Sequence, residues 1–240
     1  MEVKTESPYL PKGKLETPFL KIKISIAYRV WKRKLKKYGG FDKSSNFKVI
    51  EVGCGPGYFL KCIEKWFPKS EIFGLDIDKS LLEFAASHIK RTKLITHDGH
   101  RLPFPDNVFN VVCALQVIEH LEKPESFFTE ANRVLKNKGI LIIATPNPEG
   151  IPAKTLKDKW QGFRYDHISL KSPKEWKQVI TNSGFQMLDD GTTGLTGFKI
   201  LQKLPFALVN WIPMALFGYF HWYKGESYMA IARKIYIATK

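Results

Sequence analysis

The residues best suited to chemistry lie in a glycine-rich segment and in the acidic residues around it. Residues 51–57 read E-V-G-C-G-P-G, with glycines spaced G-x-G-x-G. Glycines with this spacing let the backbone turn tightly and approach a ligand without an intervening side chain. Asp76 follows Gly57 by 19 residues, a position from which a carboxylate accepts hydrogen bonds from a ribose in doubly wound sheets. Glu51 adds a second carboxylate, which suits a cationic ligand better than a pyrophosphate.

Two other interpretations of the glycine segment stay open. A nicotinamide or flavin dinucleotide site has the spacing G-x-G-x-x-G, and its third glycine would fall where this sequence has Tyr58. Alternatively, the glycines form a turn and bind nothing. The spacing of Asp76 argues against a turn that binds nothing, because its carboxylate lies where it could accept hydrogen bonds from the ribose of a nucleoside ligand.

Strands and helices that alternate along the chain are predicted to position these residues. The predicted strands are Phe47–Gly53, Glu71–Ile77, Lys93–His97, Asn110–Leu115, Ile140–Ala144, Phe185–Leu188 and Ser227–Ile237. The predicted helices are Leu15–Tyr38, Tyr58–Phe67, Ser80–Arg91, Pro124–Lys136 and a helix from Ser172-Pro173 to Asn182. Near-continuous apolar strands separated by helices indicate a parallel sheet that is covered on both faces.

The composition fits one globular domain. The chain has 240 residues, of which 44% are hydrophobic, so a substantial core is expected. Three cysteines are too few for a disulfide framework and favour a reducing, cytoplasmic setting. No apolar run follows Met1, so no secretory signal is visible.

Four segments together resemble a known family. They are E-V-G-C-G-P-G, G-L-D-I-D, H-D-G-H-R-L-P-F-P-D-N-V-F-N-V-V and V-I-E-H-L. This combination is similar to class I S-adenosylmethionine-dependent methyltransferases, and most of all to the small-molecule branch that includes the ubiquinone and menaquinone biosynthesis methylases. The resemblance spans roughly residues 47–190 and the last strand. It implies a Rossmann-like, doubly wound, mostly parallel seven-stranded sheet with an antiparallel last strand.

The resemblance also assigns cofactor-binding roles to residues near the carboxyl ends of successive strands. These residues are Glu51, Gly53, Cys54, Gly55, Gly57, Asp76, Ile77, Asp98, Gly99 and Gln116. The first five would hold the methionine end of S-adenosylmethionine, and Asp76 would take its ribose hydroxyls. Ile77 would pack on the adenine, the next two residues would reach the adenine edge, and Gln116 would line the methionine side.

Two histidines are candidates for the base that removes a proton from the methyl acceptor. His120 follows the fourth strand, and His167 lies on the long loop after the fifth strand. Each also has a structural interpretation: His120 could fix its loop through a hydrogen bond, and His167 could serve the entry of the next helix. Some quinone O-methylases resemble E-x-x-E-H at this place and bind magnesium there. Because Gln116 replaces a carboxylate here, we expect no required metal.

The net charge of +15 is unevenly distributed along the chain. Residues 1–48 carry 13 basic and 4 acidic residues (+9), residues 49–150 carry 12 and 13 (−1), and residues 151–240 carry 13 and 6 (+7). The sequence therefore predicts a basic N-terminal arm and helix (residues 1–46) before a methyltransferase domain (residues 47–240). Cap insertions are expected at about residues 146–171 and 195–226.

An uncharged aromatic segment at Leu204–Tyr223 accompanies the basic flanks. It is long enough to span a membrane, but the strands before and after it must share one sheet, which favours an interfacial or cap segment. The leading hypothesis is methyl transfer to a small or lipid-linked acceptor, with peripheral contact to the anionic inner face of the membrane. The alternative is an RNA or protein methyltransferase that uses the basic flanks; nucleic acid is the less favoured partner.

Overall fold

The computed structural model describes residues 18–195, 198, 212, 216 and 218–235, with side chains from residue 28 onward. The strands in this part of the chain are β1 (Lys48–Val52), β2 (Glu71–Asp76), β3 (Lys93–Thr96), β4 (Phe109–Leu115), β5 (Leu135–Pro146), β6 (Phe185–Thr192) and β7 (Ser227–Lys234). The α-helices are α1 (Pro18–Gly39), α2 (Tyr58–Trp66), α3 (Lys79–Ala86), α4 (Pro124–Val134), α5 (Ile151–Leu156) and α6 (Pro173–Asn182). Short 3-10 helices cover Ile118–His120 and Lys157–Lys159.

The strands form one sheet in the order β3-β2-β1-β4-β5-β7-β6. The pairs β3-β2, β2-β1, β1-β4 and β4-β5 are parallel, whereas β7 runs antiparallel to both β5 and β6. This confirms the predicted doubly wound, mostly parallel sheet with an antiparallel last strand. The carboxyl ends of β1, β2, β3 and β4 therefore meet along one edge, where open sheets bind ligands.

Helices cover both faces of the sheet, because the strands are apolar on both sides. On one face, α1 and α2 contribute the buried side chains Val30, Trp31, Leu35, Phe59 and Ile63. On the other face, α4 and α6 contribute Phe127, Phe128, Trp176 and Ile180. The basic helix α1 is thus packed into the core of the domain.

Two helices begin at residues whose side chains cap them. Asp78 caps α3 by accepting hydrogen bonds from the backbone N–H groups of Ser80 (2.9 Å) and Leu81 (3.4 Å). Ser172 caps α6 in a reciprocal capping box with Glu175. These local signals confirm where both helices begin.

The helix predicted over Ser80–Arg91 is wrong at its end, because α3 stops at Ala86. The Glu64 carboxylate accepts hydrogen bonds from the backbone N–H groups of Lys90, Arg91 and Thr92, at 2.6–3.1 Å. These bonds hold the chain in a turn where the helix would otherwise continue.

Two further segments differ from the predicted elements. The loop predicted after Thr145 contains α5, and β6 extends to Thr192, beyond the predicted Leu188. Most of the uncharged segment Leu204–Tyr223 lies outside the described residues, as do residues 1–17. No helix in the described part of the chain combines the length and the apolar character that crossing a bilayer requires.

Candidate active site

The glycine segment forms the turn between β1 and α2. Gly53 and Gly55 have φ angles of 68° and 49°, in the left-handed region that favours glycine. A Cβ on Gly53 would lie 2.2 Å from Cγ2 of Val117, so this position admits no side chain. A Cβ on Gly55 would meet nothing within 4 Å. The loop therefore turns tightly and leaves open space beside its second glycine.

Asp76 ends β2 and holds the glycine turn. Its Oδ2 accepts a hydrogen bond from the backbone N–H of Gly55 at 2.7 Å, and its Oδ1 accepts one from Asp78 at 2.9 Å. An ionised carboxylate offers about four lone-pair sites. These two bonds therefore leave capacity on Asp76 for the hydroxyl groups of a ribose.

Glu51 lies in β1 and is 3% exposed. Its Oε2 atom is buried without a hydrogen-bond partner. Burial, together with the charge of Asp76, raises the pKa of Glu51 well above its usual value. A buried carboxyl oxygen without a partner is costly, and a cation bound beside it would provide that partner and favour the ionised form.

The ends of β2 and β3 present an apolar surface next to an acidic group. Ile77 directly follows β2 and is 73% exposed, which is unusual for a large aliphatic side chain. Asp98 follows β3, and the backbone N–H of His100 donates to its carboxylate at 3.0 Å. That hydrogen bond lowers the pKa of Asp98. An exposed aliphatic side chain can pack on a nucleobase, and an ionised carboxylate can accept a hydrogen bond from the exocyclic amine of that base.

A cavity of about 280 Å³ begins at the end of β4. Its lining includes Gln116, Glu119, His120, Arg164, His167 and Glu226. Gln116 has a positive φ of 60°, and its backbone N–H donates to the carbonyl of Ala144 at 2.7 Å. A larger cavity of about 440 Å³ is lined mainly by residues of α4 and α6 and by none of the predicted site residues. The smaller cavity is therefore the candidate acceptor site.

His120 and His167 meet in the wall of this cavity. Their ring centroids are 4.7 Å apart, and the rings are nearly perpendicular at 82°. Nδ1 of His120 lies 2.9 Å from the Asp166 carbonyl, and Nδ1 of His167 lies 2.8 Å from the Gly162 carbonyl. Because a carbonyl only accepts, these contacts assign the hydrogen to Nδ1, and Nε2 is the basic nitrogen of each neutral ring. Burial lowers the pKa of His167.

The two structural interpretations of these histidines have different outcomes. His120 does fix its surroundings, since it binds the backbone of Asp166 on the loop after β5. The expectation that His167 serves a helix entry is wrong. Ser172 and Glu175 cap α6, whereas the His167 ring binds Gly162, five residues earlier in its own loop.

Glu119 is absent from the predicted site residues, although it lies in the segment that was compared with E-x-x-E-H. It is fully buried, and Thr145 Oγ1 donates to its Oε2 at 3.0 Å. Its Oε1 is buried without a hydrogen-bond partner, and burial raises the pKa of Glu119 to about 7. The available signal was the match of Glu119 and His120 to the last two residues of the E-x-x-E-H pattern.

The loop after β5 is tied to the same cluster. The backbone N–H of Ser169 donates to the Glu119 carbonyl at 2.9 Å, and its Oγ donates to the Leu121 carbonyl at 2.6 Å. One donor atom each from Glu119, His120 and His167 lie within 4.8 Å of one another. Among the described residues, these three side chains form a group able to hold a metal ion.

The fold and the site together define an α/β protein that binds a nucleoside-type cofactor at the carboxyl ends of its parallel strands. A sequence-family model described as "Methyltransferase domain" matches residues 50–143. The chain belongs to the class I S-adenosylmethionine-dependent methyltransferases, and its cofactor is S-adenosylmethionine. The described residues fit this cofactor, because the partnerless carboxyl oxygen of Glu51 suits a cationic ligand.

Two curated relatives and a solved structure illustrate the similarity. A malonyl-[acyl-carrier protein] O-methyltransferase from Legionella pneumophila is 31% identical over 126 residues, which cover 51% of this chain and 44% of that protein. A demethylmenaquinone methyltransferase from Thermotoga maritima is 32% identical over 96 residues, which cover 40% of this chain and 42% of that protein. The chain thus spans less than half of each of these two relatives. A SAM-dependent methyltransferase from Aquifex aeolicus shares the fold with a TM-score of 0.59 at 16% identity, covering 92% of this chain and 100% of that chain.

Proposed function

We propose that this protein transfers the methyl group of S-adenosylmethionine to a small or lipid-linked acceptor. The observation that carries the proposal is the cavity beside the end of β4, where Gln116 and the two histidines share one wall. The cavity adjoins the strand ends that carry the predicted cofactor residues, so an acceptor there would lie next to the methionine side. The two curated relatives are named for a carrier-linked malonyl group and for demethylmenaquinone.

The residues of the site have separate roles in the proposed methyl transfer. S-adenosylmethionine supplies a methyl group activated by the sulfonium charge. Glu51 and the glycine turn hold the cationic methionine end, Asp76 holds the ribose, and Gln116 separates the cofactor side from the cavity. The protein then aligns acceptor, methyl carbon and sulfur and excludes water. For a hydroxyl acceptor, Nε2 of His120 or His167 takes the proton in the metal-free site.

The outer edge of the acceptor cavity supports an apolar or lipid-linked substrate. Arg164 and His167 line the cavity, while Phe163, Tyr165 and Ile168, on the same loop, are 47%, 92% and 56% exposed. The Arg164 guanidinium donates two hydrogen bonds of 3.0 Å to the Asp166 carboxylate, so its charge is balanced locally. A cavity with an exposed apolar rim suits an acceptor that carries an apolar tail.

The described end of the aromatic segment, residues 218–223, contacts the basic helix α1, which supports contact with an anionic membrane surface. Tyr219 is 4% exposed and lies near Trp31 of α1, with ring centroids 6.3 Å apart. Nearby Trp222 is 40% exposed. Among the α1 side chains that the structure describes, from residue 28 onward, the exposed basic residues are Arg29, Arg33, Lys36 and Lys37. Basic side chains beside interfacial aromatics are typical of peripheral membrane contact, at about 1 kcal/mol per basic residue.

Transfer of a labelled methyl group into fractionated extracts tests the acceptor class. The extracts are separated into lipid, quinone, RNA and protein fractions and incubated with the protein and methyl-labelled S-adenosylmethionine. We expect label in the lipid or quinone fraction, and no label with the Asp76→Ala variant. Label confined to RNA or to protein would support the alternative macromolecular methyltransferase and overturn this proposal.

Vesicle flotation tests the membrane surface separately. We expect binding to vesicles that contain anionic lipid, and loss of binding in the Lys36→Glu/Lys37→Glu variant. The matched control is Lys90→Glu/Lys174→Glu, which changes the net charge equally at exposed positions outside α1. Equal binding of the two variants, or no binding by the unmodified protein at low salt, would contradict a role for α1 at a membrane.

A further inference from the structure

The cluster in the acceptor cavity offers three donor atoms of types that bind transition metals. One nitrogen each from His120 and His167 and one carboxyl oxygen from Glu119 lie within 4.8 Å of one another. We propose that these three residues bind one divalent transition-metal ion of the zinc type and leave a coordination position open to the cavity. Two imidazoles and a carboxylate are a donor set of catalytic zinc sites, in which the remaining position takes water or substrate.

Each of the three side chains is already held by a hydrogen bond of the kind that orients a metal ligand. The Nδ1 atoms of His120 and His167 face the carbonyls of Asp166 and Gly162 at 2.9 and 2.8 Å. Metal-binding histidines characteristically donate from one ring nitrogen to a carbonyl or carboxylate and coordinate through the other. The carboxylate of Glu119 is likewise held at one oxygen, by Thr145.

The buried carboxyl group provides a second, independent indication of a ligand. Glu119 is 0% exposed, and its Oε1 atom lacks any hydrogen-bond partner. A buried polar atom in this condition costs free energy unless something binds it. A cation at the centre of the cluster would supply the missing interaction.

The nearby charges do not oppose a cation. The Arg164 guanidinium is paired with the Asp166 carboxylate through two hydrogen bonds. Glu226, on the same cavity wall, adds a carboxylate that accepts a hydrogen bond from Trp160 Nε1 at 2.7 Å. The neighbourhood of the cluster is therefore neutral to acidic.

Small side-chain rotations would bring the donors to coordination distance. A tetrahedral ion with bonds of about 2.1 Å holds its ligand atoms about 3.4 Å apart. Since the donor atoms lie within 4.8 Å of one another, the approach needed is at most about 1.4 Å. His167 lies on a loop, where such an adjustment is less costly than in a strand.

The donor set also explains why the sequence predicts no required metal whereas the structure offers a site. The expectation considered only residues 116–120, in which Gln116 is a poor ligand for a hard cation. The fold adds His167 from the loop after β5, and imidazole nitrogens favour zinc, iron, nickel or copper over magnesium.

Metal binding would change how the acceptor is activated, and this consequence rests on the proposed function. An acceptor hydroxyl in the cavity would bind at the open position, where the charge of the ion lowers the pKa of the O–H group. Its proton would leave to a water molecule at the cavity mouth. The acceptor oxygen would then attack the methyl carbon while the methyl–sulfur bond breaks, its electron pair stays on sulfur, and S-adenosylhomocysteine is released. The imidazoles would serve as ligands in this state and as proton acceptors only in the metal-free site.

Calorimetric titration of the chelator-treated full chain with Zn²⁺, and optical titration with Co²⁺, test the site. We expect one ion per chain, micromolar or tighter affinity for Zn²⁺, and intense visible Co²⁺ bands typical of low coordination number. The variants His120→Ala and His167→Ala should each weaken binding by at least about 100-fold, while Mg²⁺ should not compete. His100→Ala, at an exposed position outside the cluster, is the control and should bind as the unmodified protein does.

Several outcomes would overturn the proposed metal site. They are the absence of Zn²⁺ binding, binding that survives loss of either imidazole, and equal weakening in the His100 control. Thermal melting of each variant identifies any that fail to fold, and Glu119→Gln, which keeps the side-chain volume, provides a further test of the same site. Calorimetry with S-adenosylmethionine on the same metal-free samples separates a failure of this proposal from a failure of the proposed function.

Discussion

Replacing Asp76 with asparagine tests whether the end of β2 binds the ribose of the cofactor. The substitution keeps the side-chain shape and removes the charge. Hydrogen bonds to charged groups contribute about 1.5–3 kcal/mol each. Asparagine still offers one accepting oxygen, so we expect the net loss of about one such bond. The dissociation constant should therefore rise about 10- to 150-fold.

The position of Asp76 requires a control for damage to the glycine turn. Its two oxygens accept from the backbone N–H groups of Gly55 and Asp78, and an asparagine can accept only one of these bonds. The other N–H would then face the amide NH₂ group. Part of any affinity loss could therefore come from a displaced loop.

A second ligand separates the two causes. Calorimetry compares S-adenosylhomocysteine with its 2′-deoxy analogue on the unmodified protein and on Asp76→Asn. If the carboxylate binds the ribose, the missing hydroxyl weakens binding to the unmodified protein and matters much less for the variant. The ribose assignment is refuted by two results together. The unmodified protein binds both ligands with the same dissociation constant, and Asp76→Asn raises both dissociation constants by the same factor. Asp106→Asn, at an exposed ion pair with Arg133, serves as the control.

Three further predictions concern the cofactor carboxylate, the glycine turn and the basic helix. Because the pKa of Glu51 is raised in the free protein and cation binding favours its ionised form, affinity for S-adenosylmethionine should increase with pH. In Glu51→Gln, calorimetry should show weaker binding without this pH dependence. Gly53→Ala should lower the melting temperature and abolish cofactor binding, since its Cβ would lie 2.2 Å from Val117; unchanged binding would contradict the turn geometry. Trp31→Ala should cost about 3–5 kcal/mol of unfolding free energy by denaturant titration, because Trp31 is 1% exposed, and a loss below about 1 kcal/mol would show that α1 is not part of the core.

The parts of the structure that the sequence predicts correctly depend on local signals. The Asp78 and Ser172 caps lie next to the helices that they begin. The glycine turn and Asp76 lie at the ends of adjacent apolar strands, whose order follows from the parallel sheet. At these positions the residues that determine the backbone conformation lie within a few positions in the sequence.

The errors arise where a distant residue decides the conformation. The end of α3 depends on Glu64, which lies 26 to 28 residues before the N–H groups that it binds. The predicted start of β5 at Ile140 is late, because Leu135 pairs with Phe109 before a register shift in the strand. Composition and periodicity do not reveal contacts between residues that are distant in the sequence.

The same reason explains why the acceptor cluster was only partly predicted. His120 and His167 are identifiable one by one, but their contact depends on how the loop after β5 folds back over β4. The buried carboxyl group of Glu119 accepts a hydrogen bond from Thr145, near the carboxyl end of the neighbouring strand β5. The sequence therefore indicates candidate bases without indicating that they share one site.

The way in which the acceptor loop is attached has a consequence for how this protein can change. The hydrogen bonds that fasten it to the cluster use the carbonyls of Asp166, Gly162 and Glu119, and every residue has a carbonyl. The exposed side chain at Tyr165, which is 92% exposed, can therefore vary while the path of the loop persists. Substitutions there would alter the mouth of the cavity and leave the cluster of Glu119, His120 and His167 unchanged.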